Sequence, residues 1–340
     1  MNRRAAPSQT PYDFNRSVMF PFKSGSNSVA FVFKSAALYA LVTTVLFLIF
    51  GKWIFGAFME MATYIGMLAA ESGEPELSQF LEMFSYFGKI MLPIMIVSLG
   101  GWFVMAIIEA SFYRRVFNGE NKTYPWRFGR DEVRVMLSQL IFGLVVFGLV
   151  ALFYILIGIV AFLMVNAESG GNDVGGDLAA VFALIMFVGF IVVFPVTIFL
   201  AVRLSPIAAL SVLREKISIK ETWQVTQGRF WPVVGSFVIV AVLAYIINYV
   251  IQTIMMLGML GNFSTWVTEF EDVESAEPEM LIQAIIDIVT QPSFLIVLAI
   301  VIFIFSVVQL VVRLLYSGIT ANAVDLYRQD LGENDLEVFD

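Results

Sequence analysis

The chain has 340 residues, 59% of them apolar and only 14% charged, with a formal net charge of −8 and a mean hydropathy of +0.85. A soluble domain runs nearer ~45–50% apolar and ~25% charged, so this is the composition of an integral membrane protein. There is no cysteine and no histidine, which excludes disulfides, thiolate metal sites and cysteine nucleophiles, and removes the commonest general base, metal ligand and pH switch.

The apolar residues fall into blocks long enough to cross a bilayer as helices, which takes roughly 20 residues each. Strict period-two alternation is absent, which argues against an outer-membrane barrel. Residues 1–28 form a polar opening segment. Within it, YDFNRSVMFPFK (12–23) mixes aromatic and basic residues. That mixture suits either a short helix lying in the interface or a loose basic tail. No A-x-A cleavage pattern follows the first apolar run, so it is expected to be a retained span.

Span one is expected at about 35–55, with its helix running on toward Met67. Span two is expected at about 87–112. It contains Pro93, where a kink is expected, and Gly100-Gly101, which would let a neighbouring helix approach closely. YRRVFNGENKTYPWRFGRDEVR (113–134) links it to span three, about 135–165. A Gly-rich loop, ESGGNDVGGD, leads to span four, about 178–202. Span five is expected at about 233–260 and span six at about 294–315, with its helix running on toward Arg328. Residues 329–340 form an acidic tail. The fold class expected is all-α: an integral membrane six-helix bundle in residues 29–328, with amphipathic interfacial helices on the cytoplasmic side.

The most informative link is RLSPIAALSVLREKISIKETWQVTQGRFWP, residues 203–232. Ser205-Pro206 should end a helix and turn the chain. Leu210, Leu213 and Ile217 then recur at helical spacing, with Arg214, Lys216 and Lys220 between them. Tryptophan and arginine together are at home at the headgroup level of a membrane. With six spans, every lysine and arginine except Lys52 and Lys89 lies on the side of this link and of residues 113–134. The positive-inside rule makes that side, and both termini, cytoplasmic. A basic rim there would meet anionic phospholipid. Nucleic-acid binding is not expected, because no basic soluble module is present.

The candidate lipid or partner collar is Arg114, Arg115, Trp126, Arg127, Arg130, Arg203, Arg214, Trp223, Arg229 and Trp231. Ionisable residues within the spans are few, and a charge at mid-bilayer costs roughly 2.5–3.5 kcal/mol on insertion scales. Glu109, Arg203 and Arg313 fall at similar depth, so Glu109 could pair with either arginine. The simpler reading has the arginines snorkelling to lipid phosphate. Lys52 and Lys89 are expected as surface anchors, within reach of acids such as Glu60 or Glu82. Asn248, Gln252, Gln309 and Asn322 lie on apolar helices and would either line a cavity or bond between helices. The methionines fit packing better than Cu(I) binding. ESGGNDVGGD lacks the lysine of a phosphate loop, and no nucleophile has a general base beside it. No catalytic residue, cofactor or metal is expected.

RLSPIAAL (203–210), KETWQVTQGRFWPVVG (220–235) and SGITANAVDLYR (317–328) resemble stretches of bacterial multi-span proteins. These are the membrane domain sometimes joined to glycerophosphodiester phosphodiesterases and the related YciC-type inner-membrane family. The resemblance implies a six-helix inner-membrane protein. It does not imply phosphodiesterase activity, which in such proteins belongs to a separate soluble barrel with catalytic histidines. The function expected is therefore non-enzymatic: binding of lipid or of a membrane-protein partner through the basic collar, in envelope organisation or as a subunit of a larger assembly. The alternative is a transporter or lipid-moving protein with a cavity between spans.

Overall fold

The structure, a computed structural model, describes residues 11–24, 27–70, 77–120, 127–169, 175–270 and 291–332. Among these residues it is all-α, with no strand. The helices are α1 (Phe14–Val18), α2 (Phe20–Lys23), α3 (Ser28–Ala70), α4 (Leu77–Phe117), α5 (Arg130–Ser169), α6 (Gly175–Val188), α7 (Phe194–Leu204), α8 (Ile207–Leu213), α9 (Ile219–Val225), α10 (Phe230–Phe270) and α11 (Pro292–Asp330). A π-helical turn, Gly189–Val193, joins α6 to α7. Six helical stretches are long and apolar enough to cross a membrane: Ser28–Leu68, Leu81–Phe117, Arg130–Leu163, Phe182–Leu213, Phe230–Ile254 and Phe294–Asp330.

The helices outrun the apolar blocks read from sequence. α3, α4 and α10 have 43, 41 and 41 residues, or about 60 Å each at 1.5 Å per residue, twice a hydrocarbon core of about 30 Å. A charge ends a hydrophobic run but not a hydrogen-bonded helix. α4 passes Lys89 and Pro93 unbroken. The π-helical turn sits just before Pro195. Proline has no N–H to give the preceding turn, and a π-turn is one way a helix absorbs that loss. Gly189 opens this turn where Phe153 of α5 presses in: a Cβ there would collide with the ring.

The chain forms two compact units. The second comprises Asn27–Ile108 and Ile239–Leu314. In it Gly100 of α4 admits Leu46 of α3, whose Cδ1 would lie 2.7 Å from an added Cβ, the close approach the glycine pair predicts. Lys89 Nζ donates to Glu60 Oε2 at 2.9 Å, both side chains being exposed. Gln309 Nε2 donates to Asn248 Oδ1 at 3.0 Å, joining α11 to α10.

The first unit comprises Met1–Ser26, Glu109–Val238 and Leu315–Asp340. Its opening segment is neither a loose tail nor a free interfacial helix. Asp13 caps α1 by accepting from the N–H groups of Asn15 and Arg16, which satisfies two of the orphan donors of a helix start. The segment then crosses α10 and α11 as a strap. The Tyr12 hydroxyl lies 2.9 Å from Ser236 Oγ, Arg16 pairs with Asp325 at 3.1 Å, and Phe20 and Pro21 are buried. Burial holds the Tyr12 hydroxyl proton above its ordinary range, against the opposing pull of its bonds to Ser17 and Ser236. Gly318 makes the seat of the strap: a Cβ there would stand 2.5 Å from Pro21 Cδ, a ring that cannot rotate away. Gly318→Ala should therefore lift the strap. Overpacking of this kind costs about 1–3 kcal/mol, which raises the opened fraction roughly 5–150-fold. Trypsin cleavage at Lys23 in the folded, solubilised protein reads this directly, and an unchanged rate would contradict the packing.

α8 differs from expectation. The spacing of Leu210, Leu213 and Ile217 suggests an amphipathic helix on the membrane surface, yet residues 207–212 are all buried, and α8 packs against α5. Ala208, Ala209 and Ser211 are small enough for close helix contact, and the charged residues read between the apolar ones, Arg214, Lys216 and Lys220, all lie beyond the end of α8 at Leu213. α9 is the amphipathic helix: Thr222 and Val225 face inward, Ile219 and Trp223 outward.

Candidate membrane-surface site

The described residues of the candidate collar, on the links 118–129 and 205–229 and the helix ends beside them, all lie within the first unit. α7 ends where Ser205 and Pro206 turn the chain, as the sequence predicts, and α8 ends at Leu213. Glu215 then adopts φ 53° and Gly228 φ 79°, the left-handed region, which costs little for glycine and more for glutamate. These two turns place α9 between α8 and α10.

The arginines divide into two groups. Arg114, Arg115 and Arg229 are buried. Arg114 Nη1 donates to Glu132 Oε1, and the same guanidinium reaches Glu120 at 3.2 Å and Asp131 at 3.7 Å. Glu132 is the third residue of α5, and its Oε2 also accepts the Gly129 N–H at 2.7 Å, as in half of a capping box. One carboxylate therefore ties the exit of α4 to the entry of α5. Arg229 pairs with Asp330 at 2.6 Å, tying the entry of α10 to the end of α11. Arg214 pairs with Glu221 at 2.8 Å across the α8–α9 link. These side chains brace helix ends, and burial takes Arg114, Arg115 and Arg229 out of reach of lipid. Trp126 lies outside the described residues.

The second group faces outward. Arg127 is exposed, although it shares Glu120 at 3.1 Å. Arg130, Lys216 and Lys220 are exposed, with no acidic partner among the described residues. They are drawn to one region: Arg134, one turn after Arg130 on α5, reaches Glu215 at 3.9 Å, beside Lys216. Trp223 is 42% exposed and Trp231 76%. Sequence counting missed Lys216 and Lys220 as site residues, although both interrupt the apolar spacing after Leu213 in the chain itself.

Arg203 belongs to neither group. Its guanidinium stacks among three rings, with its carbon 5.1 Å from the Trp223 centroid, 5.3 Å from Phe230 and 5.4 Å from Phe199. Nη1 donates to the Trp223 carbonyl at 3.1 Å and to Thr226 Oγ1 at 2.9 Å. It has no acidic partner among the described residues, so the pairing of Glu109 with Arg203 does not form; the guanidinium turns toward α9 instead. Glu109 is buried, and it accepts from Ser317 Oγ and Gln139 Nε2. Arg313, in the second unit, is exposed. Among the polar residues considered for a cavity, Asn248 and Gln309 bond to each other, while Asn322 is fully buried with both amide atoms unpartnered. No cluster of three or more potential metal ligands occurs among the described residues.

The helices define an all-α, multi-pass membrane protein. Compared with known proteins, the chain matches no family model, no curated protein and no solved structure.

Proposed function

We propose that the protein is a non-enzymatic, multi-pass protein of a bacterial inner membrane whose basic end, on the cytoplasmic side, binds anionic phospholipid. The observation that carries this reading is the pairing of exposed, acid-free cations, Arg130, Lys216 and Lys220, with the exposed Ile219, Trp223 and Trp231. Tryptophan seats at headgroup level, and each nearby lysine or arginine adds about 1 kcal/mol of attraction to an anionic surface. The effective collar is smaller than the arginine count suggests, because Arg114, Arg115, Arg214 and Arg229 are engaged within the protein. The resemblance to the membrane domain joined to some phosphodiesterases supports the same class, on the residues quoted above. A role in envelope organisation, or as one subunit of a larger assembly, fits a lipid-facing protein of this kind.

The transporter reading is the weaker one, because Asn248 and Gln309 satisfy each other across α10 and α11 as an interhelical clasp rather than facing a cavity.

The test is the lipid preference of the purified protein in nanodiscs of mixed phosphatidylglycerol and phosphatidylcholine. Arg130→Gln/Lys216→Gln/Lys220→Gln should lower enrichment of phosphatidylglycerol around the protein roughly tenfold or more, from three contributions of about 1 kcal/mol. Enrichment equal to wild type would overturn the reading.

A further inference from the structure

We infer that Arg203 is the seat of a single phosphate group belonging to one tightly held phospholipid. The inference rests on the proposed function and gives it a defined site. Arg114, Arg214 and Arg229 each have a carboxylate within 3.2 Å. Arg203 has none among the described residues, yet it stands in a largely apolar cage. The cage walls pack on one another: Phe199 on Trp223 at 5.4 Å, Phe199 on Phe230 at 5.3 Å, and Phe230 on Trp231 at 5.3 Å. They fix the plane of the guanidinium. Nη1 is anchored on the Trp223 carbonyl and Thr226, and Nε is buried without a hydrogen bond.

Ring quadrupoles attract the cation but leave its charge uncompensated. With both Nη1 hydrogens committed, the edge left is Nη2 with Nε, and a phosphate seated there would give the buried Nε the partner it lacks in the bidentate geometry that distinguishes arginine from lysine. The location selects the source of that phosphate. Arg203 lies in the last turn of α7, at the end of an apolar span, with the exposed Trp223 and Trp231 adjoining the cage. That is the level of the phosphodiester of a phospholipid, whose acyl chains would lie along the exposed Phe199 and Val196, four and seven residues back on the same face of the helix.

The cage is distinct from the Arg130, Lys216 and Lys220 rim, and the two give different signatures. A rim binds many lipids weakly and releases them in salt. A caged guanidinium retains one. Native mass spectrometry of the full chain, purified with phosphatidylglycerol and given a high-salt wash, should show one retained phospholipid. Arg203→Gln should lower its occupancy at least tenfold, whereas the rim triple variant should keep it. Arg203→Lys preserves the charge and should still lose most of the lipid, because an ammonium cannot stack and bridge in the same way. A photoactivatable phospholipid on wild-type protein tests the site without substitution and should label the peptide spanning 199–231. Labelling confined to other peptides, or wild-type occupancy in Arg203→Gln, would overturn the inference. Displacement of the lipid by millimolar glycerol phosphate or inorganic phosphate would overturn the lipid source in favour of a soluble phosphate ester. Loss of rim enrichment with the retained lipid intact, or the converse, separates failure of one reading from failure of the other.

Discussion

Arg114→Ala should remove most of the folded protein. The side chains of Arg114 and Glu132 are 3% and 1% exposed. Removing one member of such a pair leaves the other charge buried without compensation, at a cost of about 3–5 kcal/mol. That is a large share of the roughly 5–15 kcal/mol that separates folded from unfolded states in ordinary domains. Glu132→Ala also removes the cap that Gly129 N–H finds on α5, but it leaves Arg114 with Glu120 at 3.2 Å and Asp131 at 3.7 Å, so it should be less damaging than Arg114→Ala. Glu132→Gln separates the two roles. It removes the charge but keeps an acceptor for Gly129, so it should fall between wild type and Glu132→Ala. Thermal unfolding in mild detergent, followed by tryptophan fluorescence, reads all three variants. A replacement of both partners, Arg114→Met/Glu132→Leu, should be less damaging than either single alanine, since the desolvation of two ions disappears together with their attraction. Single variants within about 1 kcal/mol of wild type would show that the pair is not the brace its burial indicates.

The contrast between Arg114 and Arg130 shows where the sequence stops being informative. Both lie in the same basic link, and composition gives them the same role. What separates them is the position of acids: Glu132, in the first turn of α5, points inward to Arg114 at the exit of α4, while Arg130 starts that helix facing outward. Charge counting sets the side of the membrane a residue is expected on, but not whether it points to lipid or to protein. The long helices were legible because apolar runs of this length admit no other structure in a bilayer. The run of the first long helix past Glu60 and of the last past Asp325 was legible as well, but the start of α4 at Leu77 was not, because Glu82 lies ahead of the apolar block that begins near Phe87. The Ser205-Pro206 turn was legible from proline geometry. The burial of α8 was not, since alanine and serine suit an exposed face and a close helix contact equally well. The strap at residues 12–23 depends on Gly235 and Gly318, two hundred and three hundred residues further along, where Phe14 and Pro21 find room. Only the fold brings those residues together. The aromatic cage has a similar origin: Phe199, Trp223 and Phe230 come from three helices, and the sequence gives only the two tryptophans flanking the link.

Arg229 and Asp330 form the second brace, and here helix polarity sharpens the expectation. Arg229 stands at the start of α10, a positive helix end, and Asp330 closes α11, a negative one. Each charge alone sits at the unfavourable end of its own helix, by up to about 1 kcal/mol, and each relieves the other when paired. Both side chains are at most 14% exposed, and the contact is 2.6 Å, so screening by water is small. Arg229→Ala should cost about 3–5 kcal/mol and loosen the end of α11. Asp330→Ala should cost less, because Arg229 has a longer stem that can snorkel toward water. The exchange Arg229→Asp/Asp330→Arg places each charge at the favourable end of a helix and restores opposite signs across the gap. It should recover at least half of the stability lost in Arg229→Ala. Hydrogen exchange at residues 321–330 locates the effect, since it distinguishes local fraying of α11 from global unfolding. If the exchanged pair is no better than Arg229→Ala, the stability resides in the packing of the Arg229 stem rather than in the charges. The double-alanine variant then decides the matter: a coupling energy under about 0.5 kcal/mol in that cycle would remove the pair from any account of how the entry of α10 is held.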